Sequence, residues 1–198
     1  MIRAGSIKEV TPESGNWVFI DIGFANKAKS CGLLFGDGVP TEITFNDAVV
    51  AIVEYIHSSS KPINLVIEAP LSVTFDNKGN PKGRCVEKQG NKTRYWYVSL
   101  GTTVMVAALY LVRAIHDSKP HNDVRLFEGF VSFKDSNEQT NHSNDVLLLR
   151  YIVNNYVNET KAIISPDTLL IDDTDKIQSA FSVAGLDLGV PPILMKNG

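Results

Sequence analysis

Short apolar runs that stop at a glycine, a proline or an acidic residue recur along the chain. Runs of this length without regular polar alternation are typical of strands buried on both faces of a sheet. The strands predicted in this way are residues 17–23, 31–35, 42–45, 63–69 and 124–130, with a further short apolar run at 168–171. Gly36-Asp37-Gly38 predicts a hairpin turn after the second strand, and the polar residues 1–16 predict an irregular lead-in.

Four other segments space their apolar residues three or four positions apart, which predicts helices with one buried face. They begin at Asn46, after residue 94, at Ser143 or Asn144, and at Asp172 or Asp173. The second runs to about His116 and contains an uncharged stretch, residues 95–112, that is long enough to span a membrane. Ser99, Gly101 and Thr102 interrupt that stretch, which favours a helix packed against a sheet instead.

The order of these elements, three strands followed by alternating helices and strands, predicts an α/β fold. We expect a mixed five-stranded sheet with helices on both faces, in which the first three strands pair antiparallel and the later ones parallel. Residues 1–198 are expected to form a single domain. The Gly-, Asn- and Lys-rich residues at about 71–95 are interpreted as a basic loop insertion in that domain.

Composition narrows the class of protein. Of the 198 residues, 43 % are hydrophobic and 21 % charged, which excludes a disordered chain. The net charge of −3 excludes a uniformly basic surface, so any surface for nucleic acid must be local. The two cysteines, Cys31 and Cys85, lack the spacing of a zinc site, and the N-terminus lacks the apolar core of a signal peptide. We therefore expect a cytoplasmic protein.

Two acidic residues follow apolar strand cores and precede a residue that ends the strand. Gly23 follows Asp21 closely, and Pro70 follows Glu68. In an open α/β sheet, functional groups gather beyond the carboxyl ends of parallel strands, so the two carboxylates would meet there if their strands are neighbours. Neighbouring carboxylates repel each other, and a hard divalent cation such as Mg²⁺, which prefers oxygen ligands, removes that repulsion.

The segment Phe19-Ile-Asp21-Ile-Gly23, with Lys27 and Gly32-Leu-Leu after it, resembles the first hairpin of the RNase H-like superfamily, to which the RuvC and YqgF resolvases belong. Val66-Ile-Glu68-Ala-Pro70 resembles the acidic fourth strand of that fold and is especially similar to a family of RuvC-like nucleases. Phe127-Glu128-Gly-Phe130 resembles the acidic fifth strand of the same family. The resemblance implies an RNase H-like sheet, a nuclease activity that depends on Mg²⁺ or Mn²⁺, and a homodimer as the expected assembly.

The same resemblance implies a third acid from the C-terminal part of the chain. Asp172 and Asp175, spaced Asp-x-x-Asp, are similar to the terminal acids of RuvC, and His142 and Asp145, spaced His-x-x-Asp, resemble another arrangement found in RuvC proteins. We expect Asp175, because the small residues and the apolar stripe after it would let a helix pack closely on the sheet. Glu128 is a further candidate metal ligand.

These acids predict hydrolysis of phosphodiester bonds in DNA or RNA by a two-metal carboxylate mechanism. Asp21 would bridge two Mg²⁺ or Mn²⁺ ions about 4 Å apart, while Glu68 and Asp175 would each hold one. Asp172 is the other candidate for a catalytic acid beside Asp175. In such a mechanism the ions stabilise the attacking and the leaving oxygen of the displacement.

A basic surface is predicted beside this centre. Residues 76–95 carry six Lys and Arg residues against two acidic residues, and Tyr95, Trp96 and Tyr97 follow directly after the last of these cations. Cations follow phosphates and aromatic faces stack on bases, so we expect the segment to bind a polynucleotide. The predicted nucleic-acid contacts are Lys27, Lys78, Lys82, Arg84, Lys88, Lys92, Arg94 and Lys134.

Departures from the family pattern leave a second function open. Phe24-Ala-Asn stands where the family has a Gly-rich turn, and Ser179-Ala180 stands where it commonly has Asp-Ala. A catalytically inactive RNase H-like module that binds nucleic acid or supports an assembly would tolerate both changes. An actin-like ATPase also begins with a strand that ends in Asp-x-Gly, but it needs a second lobe for which 198 residues leave no room.

Overall fold

The computed structural model describes residues 1–23, 29–93, 100–131, 133 and 141–196. Its helices are α1 (Phe45–Ser58), α2 (Leu100–Asp117) and α3 (His142–Asn154). Its strands are β1 (Ile2–Ala4), β2 (Asn16–Ile22), β3 (Cys31–Phe35), β4 (Thr41–Ile43), β5 (Ile63–Glu68), β6 (Ser72–Phe75), β7 (Pro81–Lys82), β8 (Lys88–Gln89), β9 (Lys92–Thr93), β10 (Val124–Phe130), β11 (Ile163–Ile164), β12 (Lys176–Ser179) and β13 (Ile193–Met195).

One mixed sheet forms the centre of the molecule, with the strand order β11-β13-β10-β5-β2-β3-β4. Strands β2, β3 and β4 pair antiparallel, whereas β5 lies parallel between β2 and β10. The predicted mixed α/β architecture is thus confirmed, and all five predicted strands are present. The sheet nevertheless has eight strands in the described ranges, three more than predicted. Strands β1 and β13 both pair with β10, and β11 pairs with β13.

Helices cover both faces of the sheet, as the sequence predicts. The buried stripe of α1, Ala48, Ile52 and Ile56, shares one apolar cluster with α2 and one face of the strands. Helix α3 packs on the opposite face, where Leu149 is fully buried beside Phe19. Because side chains alternate along a strand, every second residue of β2 and β5 faces α3.

Local caps fix where the helices begin. Helix α1 begins at Phe45 and not at Asn46, because the Thr44 side chain accepts a hydrogen bond from the backbone N–H of Asp47. Asn141 caps α3 in the same way through the N–H of Asn144. Helix α2 contains much of the long uncharged stretch. Among the helices in the described ranges, none combines the length and the apolar character that a bilayer crossing requires.

Three predictions at the ends of the chain and in its middle are wrong. Residues 1–16 are not an irregular lead-in throughout, because β1 pairs in parallel with β10. The helix predicted from residue 172 to Gly185 is instead β12 followed by a short 3-10 helix, Ala180–Ala184. Residues 71–93 of the loop expected at 71–95 contain short strands, of which β6 pairs with β12 and with β7. Strands β1, β6 and β12 each pair with a partner far away in the chain, which the spacing of residues cannot reveal.

Candidate functional site

Asp21 and Glu68 lie side by side at the carboxyl ends of two neighbouring parallel strands. They are direct partners in the register between β2 and β5. Partners in parallel strands point to the same face, so both carboxylates emerge on the side of the sheet that α3 covers. Asp21 is 3 % exposed, and Glu68 is half-buried at the carboxyl end of the central strand β5. The strand register therefore brings these two acids together, as their sequence context predicts.

The third acid of the cluster is Asp145, in the N-terminal part of α3. One carboxylate oxygen from each of Asp21, Glu68 and Asp145 lies within 4.8 Å of the other two. Asp145 is 6 % exposed, so two of the three carboxylates are almost completely removed from solvent. The structure thus selects the His-x-x-Asp alternative of the sequence, and the cluster combines groups from three separate elements.

His142 provides a polar contact within this cluster. Its Nδ1 lies 2.6 Å from Oδ2 of Asp21 and donates its proton to that carboxylate. The hydrogen bond to Asp21 is the main cause that raises the pKa of His142 above its usual value, against the opposing effect of burial. The imidazolium form of His142 is favoured beside Asp21 as a result. The hydrogen bond also fixes the orientation of the Asp21 carboxylate.

Two glycines allow the first turn of α3 to reach the sheet. A Cβ at Gly32 would overlap the carbonyl oxygen of His142 and lie 2.6 Å from its carbonyl carbon. A Cβ at Gly23 would overlap the imidazole ring of the same histidine. Since backbone atoms cannot move aside as a flexible side chain can, any larger residue at Gly32 must displace the start of α3.

We expect Gly32→Ala to move His142 and Asp145 away from Asp21. For the divalent cation that the sequence predicts at these acids, the affinity for Mn²⁺ should then fall by about 10-fold or more. Isothermal titration calorimetry with MnCl₂ measures this change. Gly38→Ala is the matched control, because a Cβ there meets only the carbonyl oxygen of Phe35, at 3.0 Å. Equal Mn²⁺ affinities in the two variants would contradict the role assigned to Gly32.

Asp175 and Asp172, the acids favoured from the sequence, lie elsewhere. Both oxygens of Asp175 accept from Nζ of Lys82, at 2.7 and 2.9 Å, and its carboxylate also accepts from the backbone N–H of Asp172. Asp172 accepts from the backbone and hydroxyl of Thr174. The helix that was expected to bring them to the sheet is absent, since β12 occupies that part of the chain. In the described residues, neither acid belongs to the carboxylate cluster.

Glu128 is buried on the wrong face of the sheet to act as a ligand of this cluster. Its register partner on β5 is Ile67, so its side chain points away from that of Glu68. Its carboxylate forms an ion pair with Arg84, with Oε1 2.8 Å from Nη2. The prediction that Glu128 is a metal ligand is therefore wrong, because a shift of one position along a strand reverses the face.

The predicted nucleic-acid contacts fall into three groups. Arg84 has a completely buried side chain paired with Glu128 and Glu87, so it cannot contact a polynucleotide, and that prediction is wrong. Lys82 is half-buried against Asp175, while Lys78 and Lys88 are exposed. The remaining candidates, Lys27, Arg94, Lys134 and the side chain of Lys92, lie outside the described residues, as do the aromatic residues 95–97.

Comparison of the chain with protein-family models, with curated proteins and with solved structures gives no match. The geometry of the carboxylate cluster is therefore the basis for a functional interpretation.

Proposed function

We propose that this chain is an RNase H-like, metal-dependent nuclease that hydrolyses phosphodiester bonds in DNA or RNA. The convergence of Asp21, Glu68 and Asp145 at the ends of neighbouring parallel strands carries the proposal. The antiparallel β2–β3–β4 unit followed by parallel β5 and β10 is compatible with the sheet that the resemblance to the superfamily implies, and so supports the proposal. His142 and Asp145 further support it, because their spacing resembles the ligand pattern of RuvC proteins.

The donor set of the cluster fits a hard divalent cation. Three carboxylates within 4.8 Å repel one another, and burial of Asp21 and Asp145 increases the cost of keeping all three ionised. Mg²⁺ and Mn²⁺ prefer oxygen ligands and would offset this repulsion, with Asp21, Glu68 and Asp145 holding the ion. When bound, such a cation supplies Lewis-acid stabilisation of the negative charge that develops on the oxygens around phosphorus.

The residues of the chain prepare the site in three ways. His142 holds Asp21 through Oδ2 and carries a proton at Nδ1 beside that carboxylate. Asp21 and Asp145 are almost completely buried, which strengthens their electrostatic interactions. Glu68 is only half-buried, so part of its side chain is accessible to a phosphodiester.

A polynucleotide substrate is favoured by the segment that follows Glu68. We call residues 71–93 the arm; it begins three positions after Glu68 and presents the exposed cations Lys78 and Lys88. Ammonium groups along a segment that leaves the site at this strand end suit a phosphate chain that extends beyond the cleaved bond. The inactive RNase H-like module with a binding or assembly role is the competing function.

Calorimetry with MnCl₂ separates the two functions. We expect the wild type to bind Mn²⁺ and Asp145→Asn to bind it at least about 10-fold more weakly, because one of three anionic ligands is lost. Asp175→Asn removes an equally buried carboxylate outside the cluster and should bind as the wild type does. Failure of the wild type to bind Mn²⁺, or equal effects of both substitutions, would refute the nuclease proposal and favour the inactive module.

A further inference from the structure

Glu128 is a fully buried acid that the proposed metal centre does not use. Its Oε2 accepts two hydrogen bonds, one from Nη1 of Arg84 at 2.9 Å and one from the backbone N–H of Leu71 at 2.8 Å. Arg84 also donates from Nε to Glu87 and from Nη1 to Ser72. The guanidinium therefore fixes the Glu128 carboxylate, and that carboxylate in turn fixes the backbone at Leu71.

The amide that Glu128 holds belongs to the chain that has just left Glu68. Only two residues separate Glu68 from Leu71, and both are constrained. The N–H of Ala69 donates to the carbonyl oxygen of Ile67 at 2.9 Å, which closes a tight turn. Pro70 has a fixed φ. The carbonyl oxygen of Leu71 accepts from the N–H of Ala180 at 2.9 Å, so Leu71 is held on both sides.

A buried ion pair is a poor device for stability alone. Apolar side chains of similar volume often stabilise a core as well as buried charges do, because charges lose their hydration. What charges provide is direction, since a guanidinium and a carboxylate hydrogen-bond only in a defined geometry. Here the ion pair fixes the backbone at Leu71, which lies three residues beyond Glu68, a ligand of the proposed metal. Its defined geometry can therefore orient that ligand.

We infer that Glu128 is a positioning residue for the metal centre. By holding the N–H of Leu71, it fixes the path of the chain beyond β5 and with it the direction of the Glu68 carboxylate toward Asp21 and Asp145. The inference rests on the proposed function, because it concerns the same three carboxylates. It assigns Glu128 no contact with metal or substrate, in accordance with its place on the opposite face of the sheet.

Glu128→Leu tests the inference because it removes the acceptor of Leu71 N–H and leaves Arg84 paired with Glu87. We expect the affinity for Mn²⁺, measured by calorimetry on the folded variant, to fall about 10- to 100-fold. Amide hydrogen exchange should show faster exchange at Leu71 at the same time. Glu87→Gln is the matched control, since it disturbs the same Arg84 without touching Leu71, and it should bind Mn²⁺ within about twofold of the wild type.

Glu128→Gln gives a second measurement if the leucine variant does not fold. Its side-chain oxygen can still accept from Leu71 N–H, so we expect an affinity for Mn²⁺ that is close to the wild type and clearly above that of any folded variant without an acceptor. Wild-type affinity in Glu128→Leu, equal losses in Glu87→Gln, or a loss of 10-fold or more in Glu128→Gln would overturn the positioning role. If the wild type itself binds no Mn²⁺, the proposed function fails instead.

Discussion

For the proposed nuclease, Asp21→Asn is expected to reduce metal-dependent cleavage of DNA or RNA by about 10³-fold or more, which corresponds to about 4 kcal/mol of transition-state stabilisation. Asp21 is the most buried of the three clustered carboxylates, it is the direct register partner of Glu68, and it binds His142. Asparagine keeps the shape of the side chain but removes a charge on which the bound cation would depend. Cleavage of end-labelled single- and double-stranded substrates in Mg²⁺ or Mn²⁺ measures the loss.

Asp175→Asn is the control for this prediction, because Asp175 is an equally buried carboxylate that lies with Lys82 and outside the cluster. We expect its cleavage rate to remain within about threefold of the wild type, although the loss of the ion pair with Lys82 lowers the stability of the arm. Full activity in Asp21→Asn would remove Asp21 from the site. Loss of activity in Asp175→Asn would restore the sequence-based choice of third acid.

Arg84→Met is expected to lower the free energy of unfolding by about 3–5 kcal/mol, because it leaves Glu87 and Glu128 buried without their shared cation. Burial alone would lower the pKa of Arg84, but the carboxylates, Glu128 above all, hold that pKa above its usual value. The guanidinium is thus charged in the core, and its removal exposes each acid to the full cost of burial. Urea denaturation followed by circular dichroism measures the change.

Arg113→Met provides the comparison for Arg84. Arg113 pairs with Asp117 one turn further along α2, and both side chains are more than half exposed. Water screens such a pair, so we expect a nearly unchanged urea midpoint. If Arg84→Met changed the free energy of unfolding as little as Arg113→Met does, the buried ion network would not support the arm.

Much of the sheet could be predicted from the sequence, because most of its longer strands are short apolar runs that can be recognised locally. The sequence predicts a strand at residues 124–130, and these residues form β10, since a short, mostly apolar run bounded by polar residues is typical of a buried strand. Strands β1 and β13 could not be predicted in this way. Each has only three residues, and each adopts an extended conformation because β10 offers it hydrogen-bond partners that lie far away in the chain.

The candidate site shows the same limit. Asp21 and Glu68 are recognisable because each ends a buried strand, and adjacent parallel strands then bring them together. The choice between Asp145 and Asp175 depends on which segment packs over the strand ends, which is a tertiary property. Glu128 shares the strand-end context, yet the register pairs it with Ile67 and turns it to the other face. No local pattern in the chain records that register.

The structural roles of Gly32 and Arg84 could not be predicted from the residues around them in the sequence. The importance of Gly32 comes from the backbone of His142 that lies against it, and the burial of Arg84 comes from Glu128 on a distant strand. In sequence, Arg84 is one cation among the six Lys and Arg residues of a basic segment. Its different role follows from the folding of residues 71–93, which buries the Arg84 side chain out of contact with solvent.

The most direct test of the proposed metal centre is an X-ray diffraction measurement on a crystal of this protein soaked in MnCl₂, with anomalous scattering used to locate manganese. We expect an anomalous peak within about 2–2.5 Å of carboxylate oxygens from Asp21, Glu68 and Asp145. Manganese bound at Asp175, or a soaked crystal with no peak between these three side chains, would contradict the account.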